Sequence, residues 1–203
     1  MNLKALKTML FGAVLACLLA IPASPQSGQP AQANTGPLST WLRGPFTGNR
    51  NYLARAADAM PEEFYSMRPG PQMEVRTFGQ IVGHLANYNY QWCADARGEK
   101  NPNTDTDFEK VTTKSGLVKG LNDALAYCDG VYAWLTDANA LDTIASRTEG
   151  GREIQLPRVG RLIQNVLHNN DHYGNLVTYM RIKGLVPPSS APTPQAAAPA
   201  QGM

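Results

Sequence analysis

Residues 158–183 read RVGRLIQNVLHNNDHYGNLVTYMRIK. Apolar side chains fall at Val159, Leu162, Ile163, Val166, Tyr173, Val177 and Met180. That spacing puts them on one face of a helix of period 3.6. Gly184 follows as a natural stop. The same stretch carries His168 and His172, at i and i+4. Their imidazoles therefore share a face, one turn apart.

Three further helical segments precede it. One ends at Met60, where Pro61 stops it; its start is obscured by Gly44-Pro45. The next opens at Thr77 as N-cap and runs through Phe78, Ile81, Val82, Leu85, Tyr88 and Trp92 to Gly98. Another runs from about Ser115 to Leu135, with Leu117, Leu121, Leu125, Cys128, Val131, Tyr132 and Leu135 along one face. Four amphipathic helices predict an all-α four-helix bundle. The polar connection from Gly98 to Thr113 is long enough to return along the bundle. The second and third helices can then run parallel. Thr148 to Leu156 contains Gly150-Gly151 and reads as a small hairpin or a loop.

The chain has 203 residues, with 18 basic and 16 acidic side chains. That length fits one domain, and 43% hydrophobic residues are enough to build a core. A net charge of +2 is too small for a nucleic-acid binder that relies on phosphate neutralisation. Three cysteines supply neither a disulfide-stapled scaffold nor a four-cysteine zinc site.

Lys4 and Lys7 precede an apolar run from Met9 to Ile21, 13 residues long. A membrane-spanning helix needs about 20. Basic start, short apolar run and small residues beyond describe a secretory signal peptide over 1–33, cut after Ala31-Gln32-Ala33. Cleavage there leaves 170 residues, with 16 basic and 16 acidic side chains and no stable membrane anchor. Cys17 lies inside the apolar run and is read as part of it. Residues 34–37 are the end of a Pro/Gln/Gly/Ala-rich linker, 38–186 the domain, and 187–203 a disordered tail with five Pro and five Ala.

All three histidines fall on helices: His84 on the second, His168 and His172 on the fourth. Brought together, they form a facial set of three nitrogens that leaves positions open for water or substrate. Paired histidines at this spacing also occur as unrelated surface or core residues, so spacing alone leaves both readings open. Asn87, Tyr88, Asn165 and Asn175 lie one turn from a histidine, placed to line the site or to hold an imidazole from behind. Ordinary helix-face polar residues would look the same.

Two blocks carry a family resemblance. The first is Met60-Pro61-Glu62-Glu63-Phe64-Tyr65 through Arg68-Pro69, then Arg76-Thr77-Phe78-Gly79-Gln80-Ile81-Val82-Gly83-His84-Leu85-Ala86. The second runs from His168 to Arg181, followed by Gly184 and Pro187-Pro188-Ser189-Ser190. In this order, over roughly residues 38 to 190, the chain resembles the DinB-like superfamily. The resemblance implies up-down-down-up topology and one divalent metal ion held by His84, His168 and His172. It also implies a frequent homodimer and, in some relatives, thiol-dependent S-transferase or isomerase activity. The export signal departs from the family's intracellular habit and speaks against dependence on cytoplasmic thiols.

Three neutral imidazoles leave an ion its full charge. Such an ion lowers the pKa of bound water to about 7 and can also deprotonate a thiol. The metal stays open among zinc, nickel and iron. No Glu stands beside a His as in a zinc protease motif. The expected function is an exported metal-dependent hydrolase or transferase acting on a small-molecule substrate. A non-catalytic metal- or ligand-binding bundle, or an assembly module, is the alternative. Tyr88 and Tyr173 are the candidate proton carriers, since the sequence reveals no acid or base beside the open metal positions. Cys93 and Cys128 would lie at comparable heights on parallel helices. A disulfide between them requires Cα atoms within about 7 Å; otherwise they are two small core residues.

Overall fold

The computed structural model describes residues 36–192. The expected signal peptide 1–33, the first residues of the expected linker and the expected tail from 193 onward lie outside the described residues. Four helices are present: α1 (Pro37–Ala59), α2 (Phe78–Arg97), α3 (Lys114–Trp134) and α4 (Arg158–Ile182). Their ends follow local chemistry. Thr77 forms a capping box with Gln80 at the start of α2, and left-handed Gly98 (φ 76°) ends it. Thr113 caps α3 by accepting from the Gly116 N–H. Gly184 (φ 71°) turns the chain after α4.

The start of α1, left open by the sequence, is Pro37, and the helix continues through Pro45. A proline inside a helix costs about 3 kcal/mol. Here Leu42, Phe46 and Leu53 bury one continuous face across it, which offsets that loss. Gly36 has no side chain to cap the helix. Asp137, from the loop after α3, accepts from the Leu38 and Ser39 N–H groups instead, at 3.2 and 2.8 Å. Helix α1 thus claims Pro37 from the expected linker.

Contacts along the helices fix their directions. Cys93 and Cys128 pair in the C-terminal halves of α2 and α3, so these two run parallel. The Tyr179 hydroxyl near the end of α4 donates to the Arg76 carbonyl before α2, so those two are antiparallel. Arg43 at the start of α1 donates to the Tyr132 and Ala133 carbonyls, and Lys114 reaches back to the Asp58 carbonyl. α1 therefore opposes α3 and runs with α4. The bundle is up-down-down-up, around Leu53, Val82, Leu85, Leu121, Leu125, Leu162 and Leu176.

Two glycines bring the long α2–α3 connection onto the bundle. A Cβ on Gly83 would sit 2.3 Å from the Phe108 carbonyl oxygen, and one on Gly120 would meet the Phe108 ring at 2.1 Å. Phe108 opens a one-turn 3-10 helix (Phe108–Lys110) lodged in the groove these glycines leave. Between α3 and α4 lies a two-stranded antiparallel hairpin, β1 (Thr143–Arg147) and β2 (Glu153–Pro157). Its first strand begins upstream of the 148–156 window read from sequence.

The tail begins later than residue 187. Pro187 and Pro188 are buried, and the Ser189 N–H donates to the Tyr173 hydroxyl at 2.8 Å. Arg181 on α4 donates to the Ser190 hydroxyl at 3.4 Å, and the Ser190 and Ala191 N–H groups donate to the Pro187 carbonyl. No helix among the described residues is long and apolar enough to cross a membrane.

Candidate metal centre

The middle of α2 faces the middle of α4, and this brings all three histidines together. One ring nitrogen from each of His84, His168 and His172 lies within 4.8 Å of the others. His84 Nε2 is 3.1 Å from His168 Nε2. Two ligands of one zinc-type ion, each at about 2.0–2.1 Å, stand about 3.3 Å apart when tetrahedral. The histidine spacing is therefore compatible with a shared ion.

His84 and His168 are buried and His172 is half-buried. Burial pushes the His168 imidazole down to about 3, aided by charge on His172, His84 and Arg76. Burial and then His84 bring His172 to about 4. His84 is lowered too, by burial acting against the pull of Glu109. All three are neutral near pH 7, the form in which imidazole ligates a metal.

Glu109 fixes the tautomer of His84. Its Oε1 accepts from His84 Nδ1 at 2.7 Å, which leaves Nε2 free to face the other histidines. Arg76 Nε donates to the second oxygen of Glu109 at 2.9 Å. Burial works against this carboxylate, but the hydrogen bonds from Arg76 and His84 outweigh it and hold its pKa below the usual range. A carboxylate behind a ligating imidazole orients the ring and raises its basicity. Glu109 directly follows Phe108, so the glycine groove that seats Phe108 also delivers this acid.

A second acid comes from the hairpin tip. Glu149 Oε1 is 3.2 Å from His168 Nε2, and Oε2 is 4.0 Å from His84 Nε2. Neither glutamate stood out in the sequence, because neither lies on one of the four α-helices and both are far in sequence from any histidine. Gly150-Gly151 marked the turn that places Glu149; nothing local marked Glu109.

The residues flagged beside the histidines divide. Tyr88 is at the site, its ring 4.6 Å from His84 and 5.3 Å from His168. Its pKa is raised by burial and by Glu149 and Glu109, so it stays a phenol. Asn175 Nδ2 is 3.3 Å from His172 Nδ1. For His172 to ligate through Nε2, that amide turns its oxygen to the Nδ1–H. Asn87 makes no hydrogen bond to a histidine among the described residues; it accepts from the Phe108 N–H at 3.0 Å and donates to Asp107 at 2.9 Å, tying down the segment that bears Glu109. Asn165 belongs to a buried network with Asn89, Asn169 and Tyr132. Tyr173 stacks on Tyr52 and holds the tail. His168 Nδ1 is buried without a hydrogen-bond partner among the described residues. Cys93 and Cys128 form a disulfide, with Cα atoms 5.4 Å apart.

Two clefts flank the cluster. One of about 520 Å³ is walled by Tyr88, Glu149, Asn87, Gln91 and the 101–107 loop. The other, about 330 Å³, borders His172, Asn175 and Arg76.

Fold and site together define a class: an up-down-down-up helical bundle with three convergent histidines between its second and fourth helices. The DinB superfamily profile matches residues 46–176, well over half of the chain and including all three histidines. The chain belongs to the DinB superfamily. Among solved structures it is similar to a DinB-like protein from Bacillus cereus ATCC 10987, at 20% identity and TM-score 0.58, over 72% of this chain and 93% of that one. It is also similar to a mycothiol-dependent maleylpyruvate isomerase, at 14% identity and TM-score 0.53, over 70% of this chain and 61% of that one. At these identities the likeness concerns the fold. A sequence search of curated proteins gives no match.

Proposed function

We propose that this protein holds one divalent metal ion through His84, His168 and His172. We propose further that it works outside the cytoplasm as a metal-dependent hydrolase or transferase on a small polar substrate. The observation that carries this reading is the convergence of three neutral imidazoles, the His84 ring being oriented from behind by Glu109. A buried structural histidine would also take an acceptor for its N–H; what favours the ion is that three ring nitrogens converge within 4.8 Å of one another.

A divalent ion held by His84, His168 and His172 would supply Lewis acidity and would lower the pKa of a water or thiol bound to it. The chain's own residues do the rest. Glu109 and Arg76 keep the His84 lone pair pointed at the cluster. Tyr88 lines the cleft wall, its protonated hydroxyl donating to the Glu149 carbonyl at 3.1 Å. The amides of Asn87 and Gln91 and the 101–107 loop present donors and acceptors suited to hydroxyl- or amide-bearing substrates. Export is supported by the signal-like N-terminus and by the Cys93–Cys128 disulfide, which suits an oxidising compartment.

Turnover of thiol-acceptor and ester substrates by ion-loaded against chelator-stripped protein tests the catalytic part. Turnover restored by adding back the ion is expected. Binding of an ion with no turnover on either class would instead favour a non-catalytic binding bundle.

A further inference from the structure

We propose that Glu149, at the tip of the β1–β2 hairpin, is a fourth protein ligand to the ion; this rests on the three-histidine reading above. The carboxylate straddles two of the three histidines, at 3.2 Å from His168 Nε2 and 4.0 Å from His84 Nε2. The first distance matches the spacing of His84 from His168, 3.1 Å. The second reaches ligand spacing with a shift of about 0.7 Å.

Charge points the same way. Arg76 balances Glu109. Glu149 has no Lys or Arg within 4.0 Å among the described residues; its charged-group contacts are His84 and His168 alone. A cation seated between the Glu149 carboxylate and these two ring nitrogens supplies the counter-charge that no Lys or Arg provides.

The hairpin is built to hold that tip in place. The Ser146 hydroxyl donates to Asp95 on α2, and Arg161 on α4 donates to the Arg147 carbonyl at 3.1 Å. Thr148 N–H donates to the Arg152 carbonyl at 3.0 Å, and Gly151 at φ 78° closes the turn. The Tyr88 hydroxyl donates to the Glu149 carbonyl at 3.1 Å. A backbone so anchored from α2 and α4 brings the side chain to the His84 and His168 side of the cluster. Because the Glu149 side chain remains 48% exposed, it stands at the mouth of the site, where an entering substrate can replace it.

The test is cobalt(II) titration of the full-length protein, of Glu149→Gln and Glu149→Ala, and of Glu153→Gln as a control on the same hairpin. The readouts are the dissociation constant and the visible cobalt spectrum. Both Glu149 variants should weaken binding by about tenfold or more and shift the spectrum, with Glu153→Gln unchanged. Thermal melts of the ion-free proteins should coincide, since this is an exposed turn. Affinities within about twofold and superimposable spectra would overturn the proposal while leaving the three-histidine site intact. No cobalt binding by the wild type would instead remove the three-histidine reading beneath it.

Discussion

Reducing the Cys93–Cys128 disulfide should destabilise the bundle by an amount its position sets. The bond closes a loop of 35 residues between α2 and α3. Chain-entropy reasoning for a loop of that size gives about 4 kcal/mol of stabilisation, through a less disordered unfolded state. For a domain of this length, that corresponds to a fall in Tm of roughly 8–16 °C. The assay is differential scanning fluorimetry with and without a non-chelating phosphine reductant, beside a Cys93→Ala/Cys128→Ala variant. The variant should melt near the reduced wild type and ignore the reductant. The helices should persist in the reduced state at room temperature, because both cysteines sit in a core already filled by Leu85, Leu121 and Leu125. Equal melting temperatures with and without reductant, or two free thiols counted in oxidised protein, would refute the reasoning.

Acid should weaken the ion-free protein below about pH 6.5. Folded His168 and His172 bind protons only near 3 and 4, while the unfolded chain binds them near the ordinary value of 6.5. The unfolded state thus takes up more protons as pH falls, so stability is full above 6.5 and lost toward 4. By pH 5 the two together remove roughly 2–4 kcal/mol, read as a lower urea midpoint; a His168→Asn/His172→Asn variant should lose most of that dependence. Glu109→Gln should leave the fold intact and lower metal affinity about 10–100-fold, measured by competition with a chromophoric chelator. Gly83→Ala should displace the Phe108–Lys110 turn and destabilise by about 1–3 kcal/mol in denaturant titration. Gly130→Ala, where a Cβ meets nothing within 4 Å, should stabilise by up to about 1 kcal/mol.

Much of this architecture is legible where its determinants are local. Thr77, Gly98 and Gly184 end helices through groups within a turn of themselves, and their roles follow from residue type. His168 and His172 share a face by spacing alone. Cys93 and Cys128 fall at matching heights once α2 and α3 run parallel. Local rules fail where distant contacts decide. Pro45 stays helical because Leu42 and Phe46 are buried on either side of it. Asn165, one turn from His168, turns instead toward Asn89 and Tyr132 in the core. Glu109 and Glu149 reach the histidines along paths set by a groove between two helices and by a hairpin anchored to both sides of the site. Gly150-Gly151 marks a turn beside Glu149, but no window of sequence around either glutamate says that it meets a histidine.

Elemental mass spectrometry of the protein, purified without a His tag beside His172→Ala, bears most directly on the three-histidine site. About one equivalent of a divalent metal per chain in the wild type, lost in the variant, is the predicted result. No metal in either protein, even after reconstitution with zinc, nickel and iron(II), would contradict it.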